Sequence, residues 1–582
     1  MFNRFVLVTI SAGLLLLAPL ASADNSTYSL NLPPQPTEGS VNDATADLLV
    51  SHPDTQPCVV PLFQDQSFTN FTPKPVNFTP PANCPSPWAK VVFVGDFDVT
   101  PGRQFDRTAY LFLGHANIFY GTTPEPSSTE GPSWEIQRDV TNLSSFLKSP
   151  QTGLMTIGNI VNSTYTGIIQ GSGWLYFYPY PHKGSSESEE HQDAKPTPSL
   201  VIPMNSGNGP ALLRTGSDEL SKTLTFPTNM TGLYLDVIAQ SQIGDEFWYS
   251  CVPNDIANEL QTCGGTGFRQ VEVFIDGSLA GLAPVSPWIY TGGVDPYLWT
   301  PIPGVQTLNF KPFRINLTPF AGDLDDGAPH QVSISVYNAN NYFLISAKLL
   351  AFQDPHVEQF SGGVLEDDVP APSPTTSNTI ENSGGTITGS FGIASNPTVT
   401  TSGYIMMPSG MITTTVTQKF TFSNDQTFNI TPSLYEQDIS VINKVSTTTT
   451  RIGESGDTHT SFDHWSFPLS LNYALNFNAD GNISLSTRTE QSYEDSSSTN
   501  LNFLGAHRHA VLDDVTSTDT LNFSPSFSFL GNSNASSSQH YEYQAGAPGH
   551  PVCYNRTNTS ASNAIVSSQD NDTCNLLNSP GQ

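Results

Sequence analysis

Gln270-Val271-Glu272-Val273-Phe274-Ile275, Asp276-Gly277, Ser278-Leu279-Ala280-Gly281-Leu282 is the most explicit local structure in the chain. Polar and apolar residues alternate before and after an Asp-Gly pair, and Asp-Gly at the two corner positions suits a type I′ turn, where both residues take positive φ. The stretch predicts a β-hairpin. Working outward, Leu233-Tyr234-Leu235-Asp236-Val237-Ile238 reads as a strand, and Val332-Ser333-Ile334-Ser335-Val336-Tyr337 alternates strictly. Val91-Val92-Phe93-Val94 is a continuous apolar run, as in a strand covered on both faces. Pro, Ser, Thr and Gly are abundant and amphipathic helical runs are scarce, so the chain is expected to be all-β and built from sandwiches rather than α/β layers.

The 582 residues carry 52 acidic and 21 basic side chains, a formal net charge of -31, yet only 13% are charged. Such a surface repels phosphate backbones and anionic lipid, so nucleic acid and membranes are poor partners. Residues 1–23 have a basic Arg4, an apolar run through Leu14-Leu15-Leu16-Leu17 and Ala21-Ser22-Ala23 as a cleavage site, the pattern of a secretory signal peptide. No later window has the ~18 apolar residues that a membrane span needs, and the C-terminus lacks a GPI-type tail. The expected protein is exported: secreted, vacuolar or in a cell wall. Sequons at Asn25, Asn70, Asn77, Asn142, Asn162, Asn229, Asn316, Asn429, Asn482, Asn522, Asn534, Asn555, Asn558 and Asn571 agree with that compartment and predict N-glycosylation. The six cysteines form local pairs, Cys58/Cys84, Cys251/Cys263 and Cys553/Cys574, which an exported chain would bridge. Six cysteines permit fifteen pairings, of which the local one is the expectation here. A thiol held in a bridge cannot act as a nucleophile.

Composition divides the mature chain into a Pro-rich arm over 24–87, a first β unit over 88–205 and a second over 206–357. A Pro/Ser/Thr/Gly-rich linker over 358–400, including Pro370-Ala371-Pro372-Ser373-Pro374, and a β-rich region over 401–582 follow. A linker there predicts that a chain ended near Glu358 keeps its activity unless the later region caps the second unit. The hydrophilic tract from Gly184 to Pro198 reads as an exposed loop.

Chemistry is expected first at Gly102-Arg103-Gln104-Phe105-Asp106-Arg107, which sets a carboxylate between two guanidinium groups where the strand resumes. A neighbouring cation holds an Asp ionised below its usual range, suiting a base or an orienting group; the other reading is an Asp–Arg pair that only closes a loop. The second candidate is Gly244-Asp245-Glu246-Phe247-Trp248-Tyr249-Ser250-Cys251, two carboxylates among aromatics in a loop that a Cys251–Cys263 bridge would stabilise by of order 3 kcal/mol. Aromatics beside carboxylates suit sugar binding, and an ordinary solvated loop has the same composition. His459/His464 and His507/His509 read as surface histidines rather than metal ligands. Asp323-Leu324-Asp325-Asp326-Gly327 lacks the Glu that would complete a calcium loop and reads as a turn. There is no Gly-x-Ser-x-Gly, His-Glu-x-x-His or Walker motif, and no cofactor is expected.

Gly95-Asp96-Phe97, Gly102 through Arg107, Trp134 with Asp139-Val140-Thr141, Pro150-Gln151-Thr152 and Tyr165-Thr166-Gly167 resemble the plant and fungal peptide N-glycosidase A family. So do Gly244 through Tyr249, Phe268-Arg269 before Val271-Glu272-Val273, and Ile289-Tyr290-Thr291-Gly292-Gly293 followed by Trp299. The resemblance runs in order from about Trp88 to Lys348. It implies an amidase that cuts asparagine from the first N-acetylglucosamine of an N-glycan, leaving Asp and a glycosylamine, with N-linked glycopeptides and glycoproteins as substrates. A more distant likeness to bacterial peptide N-glycosidase F implies two adjacent jelly-roll β-sandwiches with the site between them. On these resemblances Asp106 is the principal catalytic carboxylate, Glu246 the second, and Arg107 and Arg103 orient Asp106 or bind substrate. Trp134, Trp248 and Asp245 are expected to contact glycan. Asn159 stands near the place of a third carboxylate and could act only by hydrogen bonding. Without the resemblance, a non-catalytic carbohydrate-binding or cell-surface sandwich has the same aromatics, sequons and acidity. A glycosidase cutting inside the glycan core is the other rival.

Overall fold

The computed structural model describes residues 28–181, 197–501, 505–546 and 552–576. The expected signal peptide, Asn25, most of the acidic tract after Gly184 and the last six residues lie outside the described residues. No helix among the described residues is long and apolar enough to cross a membrane.

Eight strands build the first sandwich: β1 (Cys58–Phe68), β2 (Lys74–Phe78), β3 (Trp88–Val99), β4 (Thr108–Leu113), β5 (Ala116–Thr122), β6 (Ser133–Asp139), β7 (Gln151–Ile157) and β8 (Ile169–Pro179). Their sheets run β1-β8-β3-β6 and β2-β7-β4-β5, antiparallel throughout. Strand 1 pairs with 8, 2 with 7, 3 with 6 and 4 with 5, the pairs of one long hairpin rolled up on itself: a jelly roll. Phe93, Phe97, Phe119 and Phe177 fill its core, two of them stacked on Phe119 with ring centres 5.7 and 5.9 Å away.

The second sandwich repeats that winding. Its strands are β9 (Leu200–Pro203), β10 (Ala211–Leu213), β11 (Leu220–Thr225), β12 (Met230–Ser241), β13 (Gln270–Ile275), β14 (Ser278–Pro284), β15 (Phe313–Asn316), β16 (Pro329–Tyr337) and β17 (Phe343–Gln353). The order is β9-β17-β12-β15, with β10 also on β17, against β11-β16-β13-β14. The first strand is broken into β9 and β10; otherwise each strand has the partner that its counterpart has in the first sandwich. The Asp-Gly hairpin is the central fold of this roll, with Asp276 at φ 49° and Gly277 at φ 81°, both positive as its turn requires.

The boundaries read from composition need correcting. The expected arm over 24–87 contains β1 and β2, so the first sandwich begins at Cys58, and β9 moves the second sandwich's start ahead of residue 206. The expected linker over 358–400 is folded: Ser361–Asp368, Thr375–Ser383, Thr386–Ser395 and Thr398–Met407 are strands of a sheet that runs on to Asp570. Among the described residues that sheet has thirteen strands, the longest Gly410–Thr431, roughly 70 Å of extended chain.

This sheet caps the second sandwich. Phe422 packs on Phe268 and Trp248 with ring centres 4.9 and 6.1 Å apart, inside one continuous core. A row of buried amides from its strands donates to backbone carbonyls of the second sandwich. Asn424 Nδ2 reaches Tyr249 O (2.8 Å) and Gly267 O (3.0 Å), and Gln426 Nε2 reaches Tyr249 O (3.0 Å) and Cys251 O (3.2 Å). Gln437 Nε2 reaches Ser250 O (3.0 Å), Asn443 Nδ2 reaches Val285 O (2.9 Å), and Gln491 Nε2 reaches Pro287 O (3.2 Å). Residues 33–46 are a strap across the sheet's far end: Gly39 N–H donates to Ile565 O and Ile565 N–H to Ser40 O, while Arg556 Nη1 donates to Pro33 O and Pro34 O.

Of the local cysteine pairs, Cys251–Cys263 and Cys553–Cys574 are bridged. Cys58 and Cys84 are not: they lie side by side as thiols, with Cys84 Sγ directed at Phe177 O (3.6 Å). Burial, then the neighbouring Cys58, pushes the Cys84 thiol up to about 11. Two sequons also need correcting: Asn555 and Asn558 are buried in the sheet and present no amide to a glycan.

Two outcomes are expected. Non-reducing peptide mapping recovers Cys251–Cys263 and Cys553–Cys574, while Cys58 and Cys84 take up a thiol reagent on unfolding; a Cys58–Cys84 peptide would contradict this. A chain ended at Glu358 loses the amide row and the apolar cap, leaving carbonyls and side chains that are each costly to expose, and is expected to aggregate. Its recovery as a soluble, active monomer would show the cap to be dispensable.

Candidate active site

The loop between β3 and β4 is held from below by Gln104, 3% exposed. Its Nε2 donates to Ile160 O and Gly167 O, both at 3.0 Å, and its Oε1 accepts from Phe105 N–H (3.1 Å) and Arg107 Nη2 (2.7 Å). Gly102, at φ 151°, lies against Thr166, where a Cβ would come 2.4 Å from Oγ1. Arg107 N–H donates to Thr123 Oγ1 and Thr123 N–H returns to Arg107 O, both at 3.0 Å, which ties the loop to the segment after β5. That segment is Pro124-Glu125-Pro126, and Asp106 N–H donates to Glu125 Oε1 (3.2 Å).

The second sandwich brings in Gly292. Thr291 Oγ1 donates to Thr123 O (2.6 Å), and the Gly292 N–H donates to the Asp106 carboxylate. Gly292 is required for space: a Cβ there would lie 2.4 Å from Glu125 Oε1 and 2.5 Å from Asp106 Oδ1. The two carboxylates therefore converge on a position where only a hydrogen fits.

Glu246 arrives from the expected acidic-aromatic loop. Its neighbour Asp245 is fully buried and accepts from Arg269 Nε (3.0 Å) and Nη2 (2.8 Å), and from the backbone N–H groups of Asn340 and Tyr342 (2.9 Å each). With every lone pair occupied, Asp245 anchors the turn and leaves Glu246, partly exposed, facing Asp106.

The electrostatics depart from the expectation drawn from the Arg neighbours. Burial pushes Asp106 up to about 6, against the opposing pull of the Gly292 N–H and the Arg107 charge. Glu125 is pushed up to about 8 by burial and then by Asp106, and Glu246 to about 7 by the same two causes. Arg107 does not override burial because its guanidinium bonds Gln104 and acts on Asp106 only through its field. Arg103 lies over Tyr165 (5.4 Å) and Phe105 (5.9 Å), and Phe105, 42% exposed, leaves an aromatic rim beside the carboxylates.

Four expected substrate contacts are structural instead. Trp134 is stacked on Phe97 in the first core (5.4 Å). Trp248 is fully buried between Tyr249 and Phe422. Asp245 is taken up by Arg269, and Asn159 is fully buried, donating to Phe68 O (2.8 Å) and accepting from Ile160 N–H (2.8 Å). Glu125 and Gly292 went unread as site residues. The signal for Glu125 is a carboxylate fixed between two prolines directly after the apolar strand Ala116–Thr122.

The family described as "Peptide N-acetyl-beta-D-glucosaminyl asparaginase amidase A" matches residues 50–370, both sandwiches and the start of the large sheet. The Prunus dulcis protein "Peptide-N4-(N-acetyl-beta-glucosaminyl)asparagine amidase A" is 31% identical over 387 residues, 64% of this chain and 67% of its own length. Among solved structures, PNGF-II aligns over 52% of this chain and 66% of its own at 14% identity and a TM-score of 0.35. PNGase F, a glycosylasparaginase from Flavobacterium meningosepticum, aligns over 51% and 96% at 15% identity and a TM-score of 0.33. The chain belongs to the peptide N-acetyl-beta-D-glucosaminyl asparaginase amidase A family.

Proposed function

We propose that this protein hydrolyses the amide joining asparagine to the first N-acetylglucosamine of N-linked glycopeptides and glycoproteins. Family membership names the reaction, and the observation that carries it to particular residues is the pair of carboxyls converging on Gly292 with acid strengths pushed apart. Asp106 is ionised at neutral pH and accepts a proton from water as its oxygen adds to the asparagine carbonyl carbon. Glu125 is protonated and passes its proton to the departing nitrogen. The carbon–nitrogen bond breaks, the asparagine becomes aspartic acid, and the sugar leaves as a glycosylamine. Carboxyls of unequal strength can thus supply both halves of general acid–base catalysis. Glu246, near 7, orients the water or the sugar. We place the work outside the cytosol, a reading supported by the two bridged cysteine pairs.

Mass spectrometry of a treated glycopeptide distinguishes the reaction from its rivals: an Asp in place of the glycosylated Asn supports the amidase, a residual sugar means a glycosidase, and no change means a binding protein. Asp106→Asn is expected to lower turnover ~10²–10⁴-fold with substrate binding retained. A folded variant within about threefold of the parent would displace Asp106 from the chemistry.

Activity is expected to rise through about pH 6 as Asp106 ionises and to fall through about pH 8 as Glu125 loses its proton. In Glu125→Gln the alkaline fall should vanish along with most of the rate. Gly292→Ala displaces both carboxylates and should cost ~10²-fold. Stability follows the same groups. Their pKa values are higher folded than unfolded, so the native state holds protons that the unfolded chain releases, and stability is lost progressively as pH rises from the ordinary carboxyl range, about 4, to about 8. A melting midpoint higher at pH 5.5 than at pH 8.5 is expected; the reverse order would mean that these carboxyls are not buried as described.

A further inference from the structure

The turn that presents Gly292 is strained. Gly293 N–H donates to Tyr290 O (2.8 Å), and Gly293 O accepts from Asp295 N–H (2.7 Å) and Trp299 Nε1 (2.9 Å). Between Gly293 and Asp295, Val294 sits at φ 64°, unfavourable for a β-branched residue, and such a conformation persists only where its surroundings fix it. Asp295 fixes one side: its Oδ1 accepts from Tyr297 N–H (2.9 Å) and caps the short turn Pro296–Trp299. Its Oδ2 receives no N–H or O–H from any of these groups, although the residue is fully buried.

The large sheet supplies the missing partner. Asp519, on the strand Gly505–Phe523 and 2% exposed, lies within hydrogen-bonding reach of Asp295. Its Oδ1 accepts from Asn532 Nδ2 (3.0 Å), and its Oδ2 is likewise without a donor. Neighbouring amides fix this meeting from the sheet's side: Asn532 Nδ2 also donates to Asn563 Oδ1 (3.1 Å), and Asn563 Nδ2 donates to Tyr297 O (2.9 Å) and Thr300 O (3.3 Å). Two carboxyls thus face each other away from water, each with one oxygen bonded and one open. Tyr297 adjoins both and Glu125 lies beyond it, while no lysine, arginine or histidine among the described residues acts on either. Two bare carboxylates would repel there, and one proton between the open oxygens satisfies both.

We infer that Asp295 and Asp519 share one proton, Asp295 Oδ2 donating it to Asp519 Oδ2, and that this bond makes them positioning residues that hold the Gly292 turn against Asp106 and Glu125. Asp519 is the accepting end because its other oxygen already takes the Asn532 N–H. Burial, and then the facing Asp519, push Asp295 up, so the proton is kept at neutral pH and belongs to the pair. The consequence for turnover rests on the amidase reading above; the shared proton does not.

Calorimetric unfolding of the full chain at pH 6.5, in two buffers of different ionisation enthalpy, counts the protons released. A native pair that keeps a proton above the ordinary carboxyl range must release it on unfolding. Asp295→Asn/Asp519→Asn, whose amides can keep one N–H to oxygen bond, should therefore release about one proton fewer than the parent. No difference means that neither carboxyl holds a proton, a difference of about two means that each holds its own, and either overturns the inference. Positioning is read at the Gly292 amide in glycine-labelled protein. In the parent its NMR shift should follow Asp106 through about pH 6, because that N–H donates to the carboxylate. In Asp519→Leu this titration should be lost and kcat at pH 6.5 should fall about tenfold with KM much less changed, and the double Asn variant should restore both. Asp519→Thr, which suits a strand and offers Asn532 an oxygen, covers the case in which Asp519→Leu does not fold. A folded Asp519→Leu or Asp519→Thr that keeps the Gly292 titration overturns the positioning role. If the parent never cleaves the amide, the amidase reading fails, while the proton count and the Gly292 titration still decide the pair.

Discussion

Three carboxyl groups share a small, poorly solvated space with one guanidinium that bonds none of them, and this crowding governs the rest of the structure. Charges of like sign repel strongly where water is excluded, so such a cluster persists only if its surroundings hold it and if some members keep their protons. The scaffold does the holding without placing a counter-charge in contact. Gln104 braces Asp106 through uncharged amide bonds, Glu125 is clamped between prolines, and Asp245 absorbs Arg269 so that Glu246 stays free. A direct Arg–Asp106 bond would have fixed the loop equally well but lowered the strength of the base.

The large sheet belongs to the same logic. The turn that carries Glu246 runs into carbonyls at Tyr249, Ser250 and Cys251 that face protein rather than water, and buried carbonyls need donors. Asn424, Gln426 and Gln437 supply them from neighbouring long strands. Uncharged amides satisfy the backbone without adding charge near carboxylates already pressed for protons. The second sandwich and the sheet consequently share one core, and the acidic loop is rigid from both sides.

Period-two alternation made most strands readable, and the Asp-Gly pair located the turn about which the second jelly roll winds. The winding itself came from the likeness to peptide N-glycosidase F and not from the residues, because it depends on which strands meet across the roll. The segment over 358–400 misled because Thr, Ser, Gly and Pro are the composition of a linker and also of a sheet whose outer face stays wet; its register against Gly410–Thr431 carries the information, and that is a long-range property. Asp106 and Glu246 stood out as carboxylates in punctuated loops. Trp248, Asp245 and Asn159 share that setting and Trp134 stands in a short strand, yet whether such a side chain turns inward depends on partners such as Phe97, Phe422, Arg269 and the Phe68 carbonyl, which lie elsewhere in the chain. Glu125 was overlooked because a Pro-Glu-Pro turn resembles any solvated turn until the second sandwich places Gly292 against it.

The strap lying on the final strands sets an order of assembly. Residues 39–46 meet residues 539–565, so this strap waits for nearly the whole polypeptide to be synthesised before its partners exist. The first jelly roll takes most of its core from its own span and the second shares its core with strands that follow it, while this last closure joins segments about five hundred residues apart and carries the entropic cost of so distant a contact. On the ribosome the chain therefore passes through a long interval with its second sandwich uncapped and its long strands still incomplete, and such unpaired edges are where chaperone capture and aggregation compete.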